Sequence, residues 1–200
     1  MSSVLRRNEK SDFEKIKIAK ASTNKVACNL YYDSFGIEKI KIQNFDYNAK
    51  VGIDSYIDFE DVIRIANDCK IGKLFKDIKK CDDEKKKYSL GYKGSQSSAA
   101  YDGKPESRQI TFAMSGEDRI FINMTRCEGI IDPENKTIKP NPNRDQSKDL
   151  KIGVPVSVEK FRSMFLYADA WIKAFLGREV PLLYDEAAEK RNEEKNATNN

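Results

Sequence analysis

Histidine is absent from all 200 residues, and with it go the commonest general base, the commonest transition-metal ligand and every Ser-His or Cys-His nucleophile arrangement. Cysteine is scarce. Cys28, Cys69, Cys81 and Cys127 lie far apart with no CxxC pair, so buried free thiols are favoured over a zinc site or a disulfide framework. Neither GxxxxGK[ST] nor GxGxxG occurs, which leaves nucleotide-dependent catalysis without an anchor. Carboxylate or lysine chemistry has no spacing that singles it out. A chain of this kind is expected to be a non-enzyme that uses no cofactor and no metal. No apolar run approaches the roughly 18 to 20 residues of a membrane span, and the basic start MSSVLRRNEKSDF has no apolar core for a signal peptide. The expectation is a soluble, cytoplasmic protein that does not enter a membrane.

What is present is charge and repetition. Charged residues make up 34% of the chain and the formal net charge is +4. The stretch from Tyr184 to Asn200 holds five acids against three bases, so the body before it is more basic than the total implies. That balance suits a nucleic-acid binder. Lysine- and asparagine-rich usage points to an AT-rich genome, that of a bacterium or its phage.

The repetition has a period of about a hundred residues. KVGIDSYIDFEDVIRIA from Lys50 and KIGVPVSVEKFRSMF from Lys151 both run a short Lys-apolar-Gly-apolar strand into a polar cap and an amphipathic helix. The period is too long for a solenoid, whose units usually recur every ~20 to 50 residues. It fits a duplicated strand-strand-strand-strand-helix module. The fold class expected is therefore α+β, with two antiparallel four-stranded sheets, each followed by a helix, related by a pseudo-twofold internal duplication. Residues 13–78 form the first module, 79–87 a charged linker, 88–178 the second module and 179–200 a flexible polar tail.

Alternation supplies the strands. In FEKIKIAK, Ile16 and Ile18 share one face while Lys15 and Lys17 share the other. In KVACNLYYDSFG, Val26, Cys28, Leu30 and Tyr32 face one way and Ala27, Asn29 and Tyr31 the other, with a turn over Asp33 to Gly36. IEKIKIQNF places Ile40 and Ile42 inward and Lys39 and Lys41 outward. The clearest hairpin is RQITFAM-SGED-RIFINMT, with Ile110, Phe112, Met114, Ile120, Ile122 and Met124 inside and Thr111, Arg119, Phe121 and Asn123 outside. DPENKTIKPNPNRDQSKD reads as a long mobile loop, and SQSSAAYDG as a flexible tip. Asp58 is expected to cap the first helix and Ser157 the second. The second helix carries a stripe of Phe161, Phe165, Ala168, Ile172 and Phe175 and ends at Gly177. Core is the favoured use of that stripe, with part of it, Trp171 included, available for a homo-oligomer contact. The acids Asp54, Asp58, Glu60 and Asp61 are explained by helix capping better than by a metal.

Lysines at alternate positions of neighbouring strands would present rows of ammonium groups to a phosphate backbone, because strands lie about 5 Å apart. The competing reading is a solvated face whose lysines guard the sheet against aggregation. Aromatic interleaving shifts the balance. Tyr31 and Phe121 stand outward among polar neighbours, and a base stacked on such a ring contributes about 1 to 3 kcal/mol. On this basis Lys15, Lys17, Lys39, Lys41, Lys93, Arg108, Arg119 and Arg126 are the candidate phosphate contacts, and Tyr31, Phe121 and Tyr92 the candidate stacking platforms.

KIGVPVSVEKF, Lys151 to Phe161, echoed by KVGIDSYIDFEDV, resembles the Whirly and positive-cofactor-four family of single-strand-binding proteins. The repeated four-strand-plus-helix module is also similar to that of purine-rich-element binding proteins of the Pur-alpha type. The resemblance implies helices packed together and sheets that project basic and aromatic residues onto single-stranded DNA or RNA. The lysine-glycine-lysine signature of the plant Whirly proteins has only a loose echo in YKGSQSSAA from Tyr92, so the carry-over is limited to outward basic and aromatic strand positions. The alternative is a protein-interaction module on the same fold, with the tail as a further protein contact.

Overall fold

Alternating apolar residues become two antiparallel sheets whose inner faces meet. The computed structural model describes residues 16–32 and 39–198, and the side chains of those up to 178. Lys15, the residues before it and the expected turn at Asp33 to Gly36 lie outside the described residues. The fold is α+β. The first sheet is a meander of β1 (Ile16–Ser22), β2 (Val26–Tyr32), β3 (Lys39–Asp46) and β4 (Val51–Asp58). Then come α1 (Phe59–Lys70) and α2 (Lys73–Asp83). The second sheet runs β5 (Tyr88–Ser95), β6 (Glu106–Ser115) and β7 (Arg119–Ile131), with β9 (Leu150–Ser157) beside β7 and a short fifth strand, β8 (Ile138–Pro140), on the end of β7. The long helix α3 (Val158–Thr198) follows directly. Among the described residues no helix is long and apolar enough to cross a membrane.

One continuous core joins the halves. Leu30, Ile40, Ile42, Ile53 and Ile57 from the first sheet pack in the same cluster as Ile110, Phe112, Ile122, Met124 and Val154 from the second. The helix stripe closes it. Phe161, Phe165, Ala168 and Ile172 are fully buried, and Phe161 meets Phe112 edge-on with ring centroids 5.0 Å apart. Trp171 and Phe175 pack on Tyr32 at 4.6 and 5.0 Å, so the stripe is used inside the molecule. Asn44, on the inner face of β3, carries its amide into this core and donates to the carbonyls of Ile122 (2.8 Å) and Ile152 (2.9 Å) in the other sheet. Burial pushes the thiol of Cys69 up to about 12 and raises that of Cys28 further still. Such thiols are packing groups.

Several expectations need correction. The second sheet has five strands because the stretch read as a mobile loop contains β8, held by the buried Ile138 and by Ser107, whose hydroxyl donates to the Ile138 carbonyl at 2.9 Å. The start of the linker is the last turns of α2, anchored by buried Leu74 and Ile78. Asp82 near its end accepts the Met114 backbone N–H at 2.7 Å, beyond the reach of β5. The tip around Tyr101 is tied down, since that ring is buried and Ser98 bonds back to Lys104. Helix α3 continues past Gly177 and Pro181. The proline ring conflicts with the carbonyl of the residue four positions earlier, here Gly177, and strong helix formers on the far side carry the helix on. In β1 the register slips between Lys17 and Ala19. Ile16, at the start of this edge strand, is 47% exposed, and the bulge turns Lys20 to the outer face, opposite Asn29.

Candidate nucleic-acid interface

Strand register converts the outward residues into rows. On the first sheet Lys17, Tyr31, Lys41 and Tyr56 lie side by side across the four strands, and Lys20, Asn29, Gln43 and Asp54 form the next row. The Lys17 ammonium sits 5.7 Å from the centre of the Tyr31 ring, within cation–π range. Burial raises the Tyr31 hydroxyl above its ordinary pKa, with Asp54 adding to the effect and Lys20 and Lys41 opposing it.

Much of the lysine face is already paired by its own carboxylates. Lys41 is 8% exposed and its ammonium is 2.7 Å from Asp54. Lys39 and Lys93 converge on Asp58 at 3.4 and 2.8 Å. Asp58 occupies the N-cap position of α1 but gives its carboxylate to the lysines instead of to a helix N–H. Burial works to raise its pKa, and the two lysines more than offset that, leaving it below the usual range. Ser157, its counterpart before α3, does cap, accepting the Lys160 N–H at 3.1 Å. Ala27 and Asn29 are buried as well. The first outer face is thus not the open row of ammonium groups expected of it.

The second sheet differs. Its outer rows are Tyr92, Gln109, Thr125 and Lys151, then Thr111, Asn123 and Gly153, then Ala113, Phe121 and Pro155, then Arg119 and Ser157. These rows contain no carboxylate. Arg119 and Lys151 are exposed, and neither makes an ion pair among the described residues. Tyr92 is 38% exposed and Phe121 half-buried. Gly153 makes room for this surface, because a Cβ there would stand 2.6 Å from the Asn123 amide oxygen and 3.6 Å from the Phe121 ring.

No family model, curated protein or solved structure matches the chain.

Arg108 and Arg126 sit elsewhere than the outer face. They share the strand parity of Ile110 and Met124 and lie opposite each other at the polar end of the inner face. Arg108 pairs with buried Glu106 and donates to the Asp54 carbonyl at 3.0 Å, bridging the two sheets. Arg126 has a buried Nε with no hydrogen-bond partner. With Gln43, Phe45, Gly52 and Asp54 they line a cavity of about 270 Å³. Sheet parity also identifies outward residues that were not singled out: Lys20, Tyr56 and Phe45 on the first sheet, Gln109 and Lys151 on the second. For all but Lys20 the signal was in the sequence, since each stands two residues from a position already assigned outward or continues a strand's alternation.

Proposed function

We propose that the chain is a non-enzymatic binder of single-stranded nucleic acid that engages the strand mainly through the outer face of the second sheet. The observation that carries this reading is the combination on one face of unpaired cations, Arg119 and Lys151, with accessible rings, Tyr92 and Phe121, and no opposing carboxylate. Cations there neutralise phosphates, and rings stack bases without reading their sequence. Asn123 and Gln109 add amide donors between them. On the first sheet Lys17 and Tyr31 continue the same chemistry at the rim.

The internal duplication belongs to this proposal. In each half four antiparallel strands lie side by side, with β8 inserted in the chain before the last of them in the second half, and a glycine, Gly52 or Gly153, sits on the strand after which the helix starts at the next residue. The resemblance to the Whirly and positive-cofactor-four group rests on the same features. A protein-interaction role has one observation in its favour, the pairing of Lys39 and Lys41 by Asp58 and Asp54, which weakens phosphate attraction on the first sheet. Fluorescence anisotropy with labelled single-stranded DNA, double-stranded DNA and RNA, each at two salt concentrations, decides between them. Single-strand affinity that falls steeply with salt is expected. A Kd that does not move with salt removes the phosphate contacts from the reading.

A further inference from the structure

The cavity where the outer face of β3 and β4 meets Arg108 and Arg126 at the polar end of the second sheet is not covered by a strand lying on the second sheet's outer face, and we infer that it is a binding site for one phosphorylated nucleotide. This rests on the reading of the chain as a nucleic-acid binder and assigns a distinct place to a single nucleotide. The cavity, about 270 Å³, is close to the ~300 Å³ lower end of small-ligand pockets, a size that matches a single unit better than a strand. Its charge is unbalanced in a specific way. Arg108 and Arg126 are cross-strand neighbours, and like charges placed directly opposite repel. Glu106 offsets Arg108, and Lys41 offsets Asp54. Arg126 has no ion-pair partner among the described residues, and its Nε is buried without an acceptor. Its polar neighbour is the Tyr101 hydroxyl, which shares a hydrogen bond with it.

A guanidinium in that condition fits a phosphate, which supplies acceptors in the geometry of the fork. The other wall suits a base. Phe45 lies over Gly52, where a Cβ would come within 3.1 Å of the ring, so glycine keeps the platform flat. Beside it Gln43 donates to Asp54 at 2.8 Å, giving an amide and carboxylate edge for polar groups of a base. The ring takes a base face and the arginines take its phosphate.

The test uses the full chain with thymidine 5′-monophosphate, thymidine, inorganic phosphate, and oligothymidines with and without a 5′-phosphate, by titration calorimetry. Saturable binding of the monophosphate, clearly tighter than thymidine or phosphate alone, is expected. Arg126→Gln should weaken it about tenfold or more, and Phe45→Ala should weaken the monophosphate but not phosphate. Melting temperature is read for each variant, and Arg126→Lys, which keeps the charge but loses the fork, stands in if Arg126→Gln does not fold. A 5′-phosphorylated strand bound more tightly than its unphosphorylated form, with the difference lost in Arg126→Gln, identifies strand ends as the source. Equal binding of the two strands, with the monophosphate still bound, identifies free nucleotide. No saturable binding of the monophosphate, or phosphate binding equally well, overturns the site. Oligonucleotide affinity that depends on Arg119 and Phe121 would survive that failure. Conversely, monophosphate binding without strand binding would sink the surface reading and leave the cavity.

Discussion

The two sheets share a core but treat their outward charges in opposite ways. On the first, Asp54 holds Lys41 and Asp58 holds Lys39, with Lys93 reaching Asp58 from β5 of the second sheet, and the middle of the face is closed. On the second, Arg119 and Lys151 stand without carboxylates among uncharged residues and rings. Two sheets built on the same alternating pattern therefore differ in what they offer a polyanion. A lysine on a strand marks a direction, and only the neighbour across the sheet decides whether its charge is available.

The most damaging way to test the shared core is Phe161→Ala. A buried Phe truncated in this way costs about 3–5 kcal/mol, and because both sheets touch that cluster, the protein should melt in a single lowered transition by circular dichroism and calorimetry. Two separate transitions would show that the halves are independent units.

Next in size is the asymmetry of the faces. Phe121→Ala should weaken single-strand binding by about 1–3 kcal/mol with little change in melting temperature. Arg119→Ala with Lys151→Ala should flatten the salt dependence by about one to two phosphate contacts. Lys39→Ala should do much less, its ammonium being engaged by Asp58. Equal losses from Lys39 and Arg119, read by anisotropy, would erase the distinction between the sheets.

The polar latch between them gives a comparable effect on stability alone. Asn44→Ala leaves the Ile122 and Ile152 carbonyls without their donor, and orphaned buried groups cost about 1–3 kcal/mol. For a chain of this size that is roughly 2–10 °C in melting temperature, with nucleic-acid affinity unchanged in the folded protein.

The smallest effect concerns pH. Asp58 has a lowered pKa in the folded state, so its contribution is present above the ordinary carboxylate value of 3.8 and is lost as pH falls through the folded value. The carboxylate is 39% exposed, which keeps the contribution below about 1 kcal/mol. Denaturant titrations at pH 7 and pH 3 should differ slightly less in Asp58→Asn than in the unaltered protein. A wider difference in the variant would contradict the lysine pairing.

How much was legible follows from the range of each interaction. Ile40 and Ile42 inward with Lys39 and Lys41 outward, and the register of Ile110 with Met124 across the Gly116 turn, are consequences of the two-residue period of a strand. The apolar stripe of α3 is likewise a local pattern. Lys20 escaped because one bulge in β1 reverses parity beyond it. Strand β8 escaped because its apolar signal is a single residue, Ile138. The rest of α3 escaped because Gly177 and Pro181 are stop signals only when nothing compensates them. Of the candidate site, direction was readable for Tyr31, Phe121 and Arg119, and the outward reading failed for Arg108 and Arg126, which stand at the end of the inner face.

By itself the sequence determined what depends on near neighbours: the strands and their faces, the direct step from strand to helix in each half, and the absence of histidine chemistry. Only the tertiary structure decided which charges meet. Asp58 with Lys93, Arg108 with the Asp54 carbonyl and Asn44 with Ile152 join positions far apart in the chain. Their energies depend on distances and burial that no local period encodes, and the buried Arg126 Nε without an acceptor was visible only once the two sheets had come together.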